Sequence, residues 1–315
     1  VFLSCGDALF DLFSGQDAGE RDASSTHVSL AGNAGGSPMN VAFGLSRLGH
    51  HSRFFTNLSN DLFGQRLKQF LDVNKVDTSL CSLTDLNTTL AIVETQDDGS
   101  ADYAFYIDNT ADVMITSADI PKKIDDDLRL LHFGSYSTAV EPVASSLMGF
   151  AQRETAHRII SYDPNLRPSI ESDIDRWREV FKVFAATANV IKASDEDISS
   201  LLGKGREDQF VDDSFALGAE LVFITRGPDG ASGFKADGTV VNVEGASVSV
   251  VDTVGAGDTF QATLLHWLAT HGHLDGGNTL VGDVDIAACM SLAVKAAAIT
   301  CTRSGADLPS LEDLA

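Results

Sequence analysis

Residues 252–260 read DTVGAGDTF. The run before the loop, Ser247–Val251 (SVSVV), has the apolar alternation of a strand. The run after it, Thr259–Ala269 (TFQATLLHWLA), repeats Phe260, Leu264 and Leu268 at every fourth position, as a helix does. A flexible loop that opens a helix presents backbone N–H groups and the positive end of the helix dipole, a ready site for phosphate. Yet Asp258 puts a negative charge where a phosphate binder would carry lysine. Two roles side by side resolve the conflict. The amides of Gly255, Ala256 and Gly257 can meet the charge on a phosphoryl group, while Asp258 accepts the proton of an attacking alcohol. From local sequence alone, a plain helix cap accounts for Asp258 equally well. The loop is no Walker motif, since GxxxxGK[ST] is absent, and a dinucleotide GxGxxG would need glycine at Phe260.

Outward from this loop, strand-like and helix-like segments alternate. Apolar runs occur at Ser52–Leu58, Leu130–Gly134, Arg158–Asp163, Asn189–Ala193 and Leu221–Thr225, with helical spacing between them, as at Phe63, Leu67, Phe70 and Leu71. The pattern predicts an α/β fold with a doubly wound, mostly parallel sheet that binds ligands outside the carboxyl ends of its strands. Two stretches interrupt it. Residues 14–32 are largely polar, and residues 87–107 read as a hairpin with Asp98-Gly99 at the tip. They predict a small β-sheet lid from 14–32 and 87–107 over a core of 1–13, 33–86 and 108–315.

Composition removes several function classes. With 43% hydrophobic and 21% charged residues in 315, the chain reads as soluble and globular. A formal charge of −23 argues against nucleic acid or an anionic membrane surface as partner. Cys5, Cys81, Cys289 and Cys301 show no metal-type spacing and read as free thiols in a reducing compartment. The opening VFLSCGDALFDLFSG lacks a basic region and is broken by Asp7 and Asp11, unlike a signal peptide. The expectation is a cytoplasmic protein.

DTVGAGDTFQATLL resembles the C-terminal signature of the ribokinase-like (PfkB) carbohydrate kinases, and GGSPMNVAFGLSRLG (Gly35–Gly49) resembles their N-terminal signature. DPNLR (Asp163–Arg167), VIKASDED (Val190–Asp197), TRGPDGA (Thr225–Ala231) and CTRSGADLP (Cys301–Pro309) follow in family order. DPNLR and GDALFDLF look most like fructokinases. The resemblance implies phosphoryl transfer from ATP with Mg²⁺, and in many relatives a K⁺ requirement. It implies that Asp258 is the general base and that Gly255, Ala256 and Gly257 form the anion hole. Asp11, Gly35, Gly36 and Asn40 would hold sugar hydroxyls, with Asn165 and Arg167 at the mouth between sugar and phosphates. Lys192, Thr225, Gly227 and Gly230 would contact the nucleotide. Read without the family, Arg167 could instead pair with Asp163, and GPDG could be a plain β-turn.

Departures from the family pattern carry information. Ser194 and Asp197 stand at the Asn-x-x-Glu positions that organise Mg²⁺ through water, and Asp197 is one methylene shorter than Glu. In the lid, Ile107 replaces an arginine that a sugar acid would want for its carboxylate, which favours a neutral hexose. Tyr103, Phe105 and Ile107 alternate onto one face and could cover the sugar, or simply pack the lid. The expected reaction is phosphorylation of fructose at O6. A 2-keto-3-deoxygluconate, ribose or nucleoside kinase, and an inactive sugar- or nucleotide-binding regulator, stand as alternatives. An exposed edge of the lid sheet suggests a homodimer.

Overall fold

The computed structural model describes residues 1–14, 29–95 and 101–315. In chain order the first strands are β1 (Phe2–Cys5), β2 (Leu9–Ser14), β3 (Leu30–Gly35), β4 (Ser52–Phe55), β5 (Asn57–Ser59), β6 (Ser82–Thr84) and β7 (Thr89–Thr95). They continue as β8 (Ala101–Tyr106), β9 (Leu130–Gly134), β10 (Ile159–Asp163), β11 (Val190–Ser194), β12 (Leu221–Thr225), β13 (Ala231–Lys235) and β14 (Val240–Val243). The helices are α1 (Ser37–Arg47), α2 (Leu62–Val73), α3 (Val143–Glu154), α4 (Ile174–Ala185) and α5 (Asp195–Leu202). After them come α6 (Glu207–Leu217), α7 (Ala256–Thr270), α8 (Ile286–Cys301) and α9 (Leu311–Leu314).

The main sheet runs β14-β13-β12-β11-β10-β9-β1-β4. From β12 to β4 every pairing is parallel, and β13 and β14 extend the sheet antiparallel. Strands such as LLHFG and IISYD are buried at every position, as strands covered on both faces must be. One face packs on α1, α7 and α8 through Val41, Leu45, Phe260, Leu264 and Met290. The other packs on α3, α4 and α6 through Leu147, Phe150, Phe184 and Phe210. This is the expected doubly wound α/β sheet. β1 has β4 on one side and β9 on the other, so the strand order reverses there and opens a crevice at the strand ends.

A separate small sheet has the order β3-β2-β7-β8. β7 and β8 form the antiparallel hairpin expected from sequence, with Leu90 opposite Tyr106. The Asp98-Gly99 tip and residues 15–28 of the polar stretch lie outside the described residues. The sheet begins at Leu9 and closes at Gly35, so it takes in residues that the sequence pattern assigns to the core. Alternation along LFDLFS explains why. Phe10 and Leu12 sit in a third apolar cluster with Phe54, Leu58 and Leu67, while Leu9, Asp11 and Phe13 face the crevice.

One expected strand is absent. Ser247–Val251 pairs with no strand, and its last amide donates instead to the Cys301 carbonyl at 2.8 Å. Val250 is 60% exposed, because its alternation serves a cavity wall rather than a sheet. No helix among the described residues is long and apolar enough to cross a membrane. The four cysteines are free.

Candidate active site

Five of the six parallel strands of the main sheet, all but β4, deliver polar residues to the crevice on or just past the strand. Asp7 follows β1, Ser135 follows β9, Asn165 follows β10, Lys192 lies on β11 and Ser194 ends it, and Thr225 ends β12. Together with the entries to α1 and α7 and one face of the small sheet, they line a cavity of about 1080 Å³.

Asp258 lies in the first turn of α7 and is 7% exposed. Ser37 Oγ donates to its Oδ1 at 2.6 Å, and Asn40 Nδ2 donates to its Oδ2 at 2.7 Å. Both donors belong to the first turn of α1, so two helix N-termini converge on one carboxylate. Burial pushes the Asp258 pKa up, against these donors and the nearby charges of Lys192 and Arg167. A carboxylate withdrawn from water and held in one orientation is a candidate general base.

Gly255 caps α7 in the left-handed conformation, φ 79°, and a Cβ there would meet the Ala306 Cβ at 2.8 Å. Asp252 braces the loop, accepting from the amides of Val254 at 3.0 Å and Gly305 at 2.8 Å. The Ala256 amide donates to the Thr253 carbonyl at 3.2 Å. Helix geometry leaves the Gly257 and Asp258 amides without intrahelical acceptors. Lys192 stands beside them, with Nζ 3.2 Å from where a Cβ on Gly257 would lie.

Lys192 Nζ donates to Asp163 Oδ2 at 2.8 Å, and both side chains are buried. Burial works against the lysine's charge, but the Asp163 carboxylate outweighs it and holds the pKa above the ordinary value. The pairing of Asp163 with Arg167 is therefore not the one formed. Arg167 Nη1 instead donates to Asn165 Oδ1 at 2.6 Å and to the Leu166 carbonyl at 2.8 Å. Both Asn165 and Arg167 line the cavity.

Asp11 lines the cavity, and burial raises its pKa to about 6 although Arg167 opposes the shift. Gly36, at the N-cap of α1, has φ 116°, and a Cβ there would lie 2.5 Å from the Asp7 carbonyl oxygen. On Gly35 a Cβ would lie 2.5 Å from Asp11 Oδ2. Gly36 and Asn40 line the cavity, while Gly35 supports it from behind. Phe105 reaches the cavity from the small sheet, and Ile107 packs on the core instead. Tyr103 lies on β8, with its side chain outside the described part of the structure.

Thr225, Gly227 and Gly230 line the cavity, as do Val248 and Val250. The GPDG segment is a tight turn, as expected, since Gly230 donates to the Gly227 carbonyl at 3.2 Å. Ser194 and Asp197 form a capping box on α5. Asp197 accepts from the Leu166 amide at 2.8 Å through Oδ1 and from Ser194 Oγ at 2.7 Å through Oδ2. Both of its oxygens are thus already held by the protein.

Sequence reasoning missed Ser37 and the Lys192–Asp163 pair. Ser37 carries a weak signal, standing one helical turn before Asn40; the pair of Lys192 carries none.

A family model described as pfkB family carbohydrate kinase matches residues 3–314. The chain belongs to that family. A curated fructokinase from Rhizobium leguminosarum bv. trifolii is 40% identical to this pfkB kinase over 265 residues, 84% of this chain and 78% of the relative. A solved sugar kinase from Pyrococcus horikoshii in complex with ATP is 28% identical, with a TM-score of 0.83 over 99% of this chain and 96% of that one. A fructokinase double mutant from Vibrio cholerae, bound to fructose, ADP and potassium ion, is 25% identical with a TM-score of 0.84 over 99% and 96% of the two chains. The doubly wound sheet with its separate small sheet is the architecture of these neighbours.

Proposed function

We propose that this sugar kinase transfers the γ-phosphoryl group of ATP to O6 of fructose, giving fructose 6-phosphate and ADP. The observation that carries the reading is the buried Asp258, oriented through both oxygens by Ser37 and Asn40 beside free amides at the same helix entry. The sugar hydroxyl gives its proton to Asp258 as its oxygen attacks phosphorus and the bond to the β-phosphate oxygen breaks. The Gly257 and Asp258 amides and Lys192 meet the charge on the phosphoryl oxygens. Asp11, Asn165 and Arg167 hold the sugar, and the apolar wall of Val248 and Val250 faces the nucleotide across Thr225, Gly227 and Gly230. The small sheet acts as a lid that keeps water from the phosphoryl group.

The donor set fits Mg²⁺ held mainly by the nucleotide. Among the described residues no group of three or more His, Cys, Asp or Glu is placed to hold a metal, and Mg²⁺ commonly takes one or two carboxylates besides phosphates and water. Asp163 Oδ1 is buried without a partner and is the oxygen available to it, with Asp197 behind. When bound, the ion neutralises phosphate charge. The homodimer we infer joins two copies along an edge of the small sheet, β3 or β8.

The test is ATP turnover with Mg²⁺, with and without K⁺, against fructose, glucose, ribose, adenosine and 2-keto-3-deoxygluconate. The expected result is fructose-selective turnover that Asp258→Asn lowers about 10²–10⁴-fold in kcat while sugar binding persists. Preference for ketodeoxygluconate would assign Arg167 to its carboxylate. ATP binding without turnover of any sugar would make the protein a binding regulator.

A further inference from the structure

One carboxylate in the cavity has no part in the reaction as written. Asp7 stands two residues past the end of β1, is 1% exposed and lines the cavity. Its Oδ1 is buried with no hydrogen-bond partner. A carboxyl oxygen withdrawn from water and left unmatched is costly, and native structures rarely keep one without a use.

The surroundings show why no protein group satisfies it. Asp112, the nearest acid acting on it, is itself fully engaged by hydroxyls. It accepts from Thr89 at 2.5 Å, Thr110 at 3.2 Å and Tyr136 at 2.6 Å. The two glycines at the entry to α1 each press against one acid-bearing residue. A Cβ on Gly36 would strike the Asp7 carbonyl at 2.5 Å, and a Cβ on Gly35 would strike the Asp11 carboxylate at 2.5 Å. Asp7 and Asp11 therefore flank the diglycine, and both line the cavity.

We propose that Asp7 is a second sugar-binding carboxylate, whose free Oδ1 meets a ring hydroxyl other than the one phosphorylated and sets the penalty for sugars lacking it. This rests on the sugar-kinase reading above. Burial, with Asp112, raises the Asp7 pKa to about 7 against the Ser137 hydrogen bond, so near neutrality the group can donate as well as accept. A site built to bond a hydroxyl discriminates strongly against analogues that lack it, because its own polar atom is then left unpaired.

The test compares wild type, Asp7→Ala and Asp7→Asn, each as the full chain, on fructose and on analogues missing one hydroxyl each: 1-deoxyfructose, 3-deoxyfructose, 4-deoxyfructose and 2,5-anhydromannitol. The Ala variant is expected to raise the fructose KM roughly 10–100-fold, with a much smaller fall in kcat and no change in the KM for ATP. One analogue that wild type handles poorly should be no worse than fructose for Asp7→Ala. Asp7→Asn, which keeps the shape and an accepting oxygen, should recover part of the affinity, and it supplies the same comparison if the Ala variant does not fold. Analogue-to-fructose ratios unchanged from wild type in both variants would overturn the proposal and leave Asp7 a structural acid. A wild type inert toward every sugar would instead remove the kinase reading itself.

Discussion

Asn40 donates from Nδ2 to Oδ2 of Asp258 across 2.7 Å, although 218 residues separate the two in the chain. Ser37 holds the other oxygen, so the carboxylate plane is set by the first turn of a different helix. Ser37→Ala and Asn40→Ala should each lower kcat about 10-fold, the value of one such hydrogen bond. In the Asp258→Asn background either change should add little, because all three residues act through one group. Full additivity in the steady-state rates would show that Ser37 and Asn40 work independently of Asp258.

The diglycine separates stability from affinity. Gly36→Ala places a Cβ against backbone, at a φ of 116°, and should destabilise the fold by about 1–3 kcal/mol. Gly35→Ala meets side chains alone, Asp11 Oδ2 at 2.5 Å and Leu9 Cδ1 at 3.5 Å, and the aspartate can turn away. It should raise the sugar KM and leave the melting temperature near wild type. Thermal melts and sugar titrations on the two variants check this, and equal melting temperatures for both would count against it.

Lys192 on β11 and Asp163 at the end of β10 are a buried pair. Lys192→Met strands the Asp163 charge and should cost roughly 3–5 kcal/mol in chemical denaturation. Adding Asp163→Asn removes the stranded charge and should restore most of that stability. It should not restore the KM for ATP, because the cation beside the anion site is still missing.

The acids of the cavity make stability depend on pH. Burial raises Asp7 to about 7 and Asp11 to about 6, above the ordinary value of 3.8. The folded state therefore binds these protons more tightly than the unfolded chain does. The resulting stabilisation is full below about 4 and is lost as pH rises through 6 and 7. Asp61 and Asp77 are shifted down, so their contribution is lost only at still lower pH. The protein without ligands should melt higher at pH 5.5 than at pH 8, and Asp7→Asn should flatten that slope. Relief of the −23 surface charge acts in the same direction, so a slope identical in Asp7→Asn would assign it to the surface alone.

Sequence by itself determined the alternation of strands and helices, the hairpin of β7 and β8, and a glycine loop opening a helix with Asp258 at its N-terminus. Those features are local: apolar period, glycine placement and helix capping all act within a few residues. The tertiary structure decided the rest. The alternation of Ser247–Val251 is the same whether a strand pairs there or a cavity wall lies there, and only the absence of a neighbouring backbone separates the two. Asp11 sits on the small sheet rather than in the core, because Phe10 and Leu12 find an apolar cluster behind that sheet. Lys192 chose Asp163, and Arg167 chose Asn165, by distances that no spacing in the chain encodes. Asp7 is unremarkable in sequence and becomes chemically distinct only when folding buries it and leaves one oxygen unmatched. Hydrogen bonds and desolvation depend on what surrounds an atom in space, and for these residues the surroundings come from distant parts of the chain.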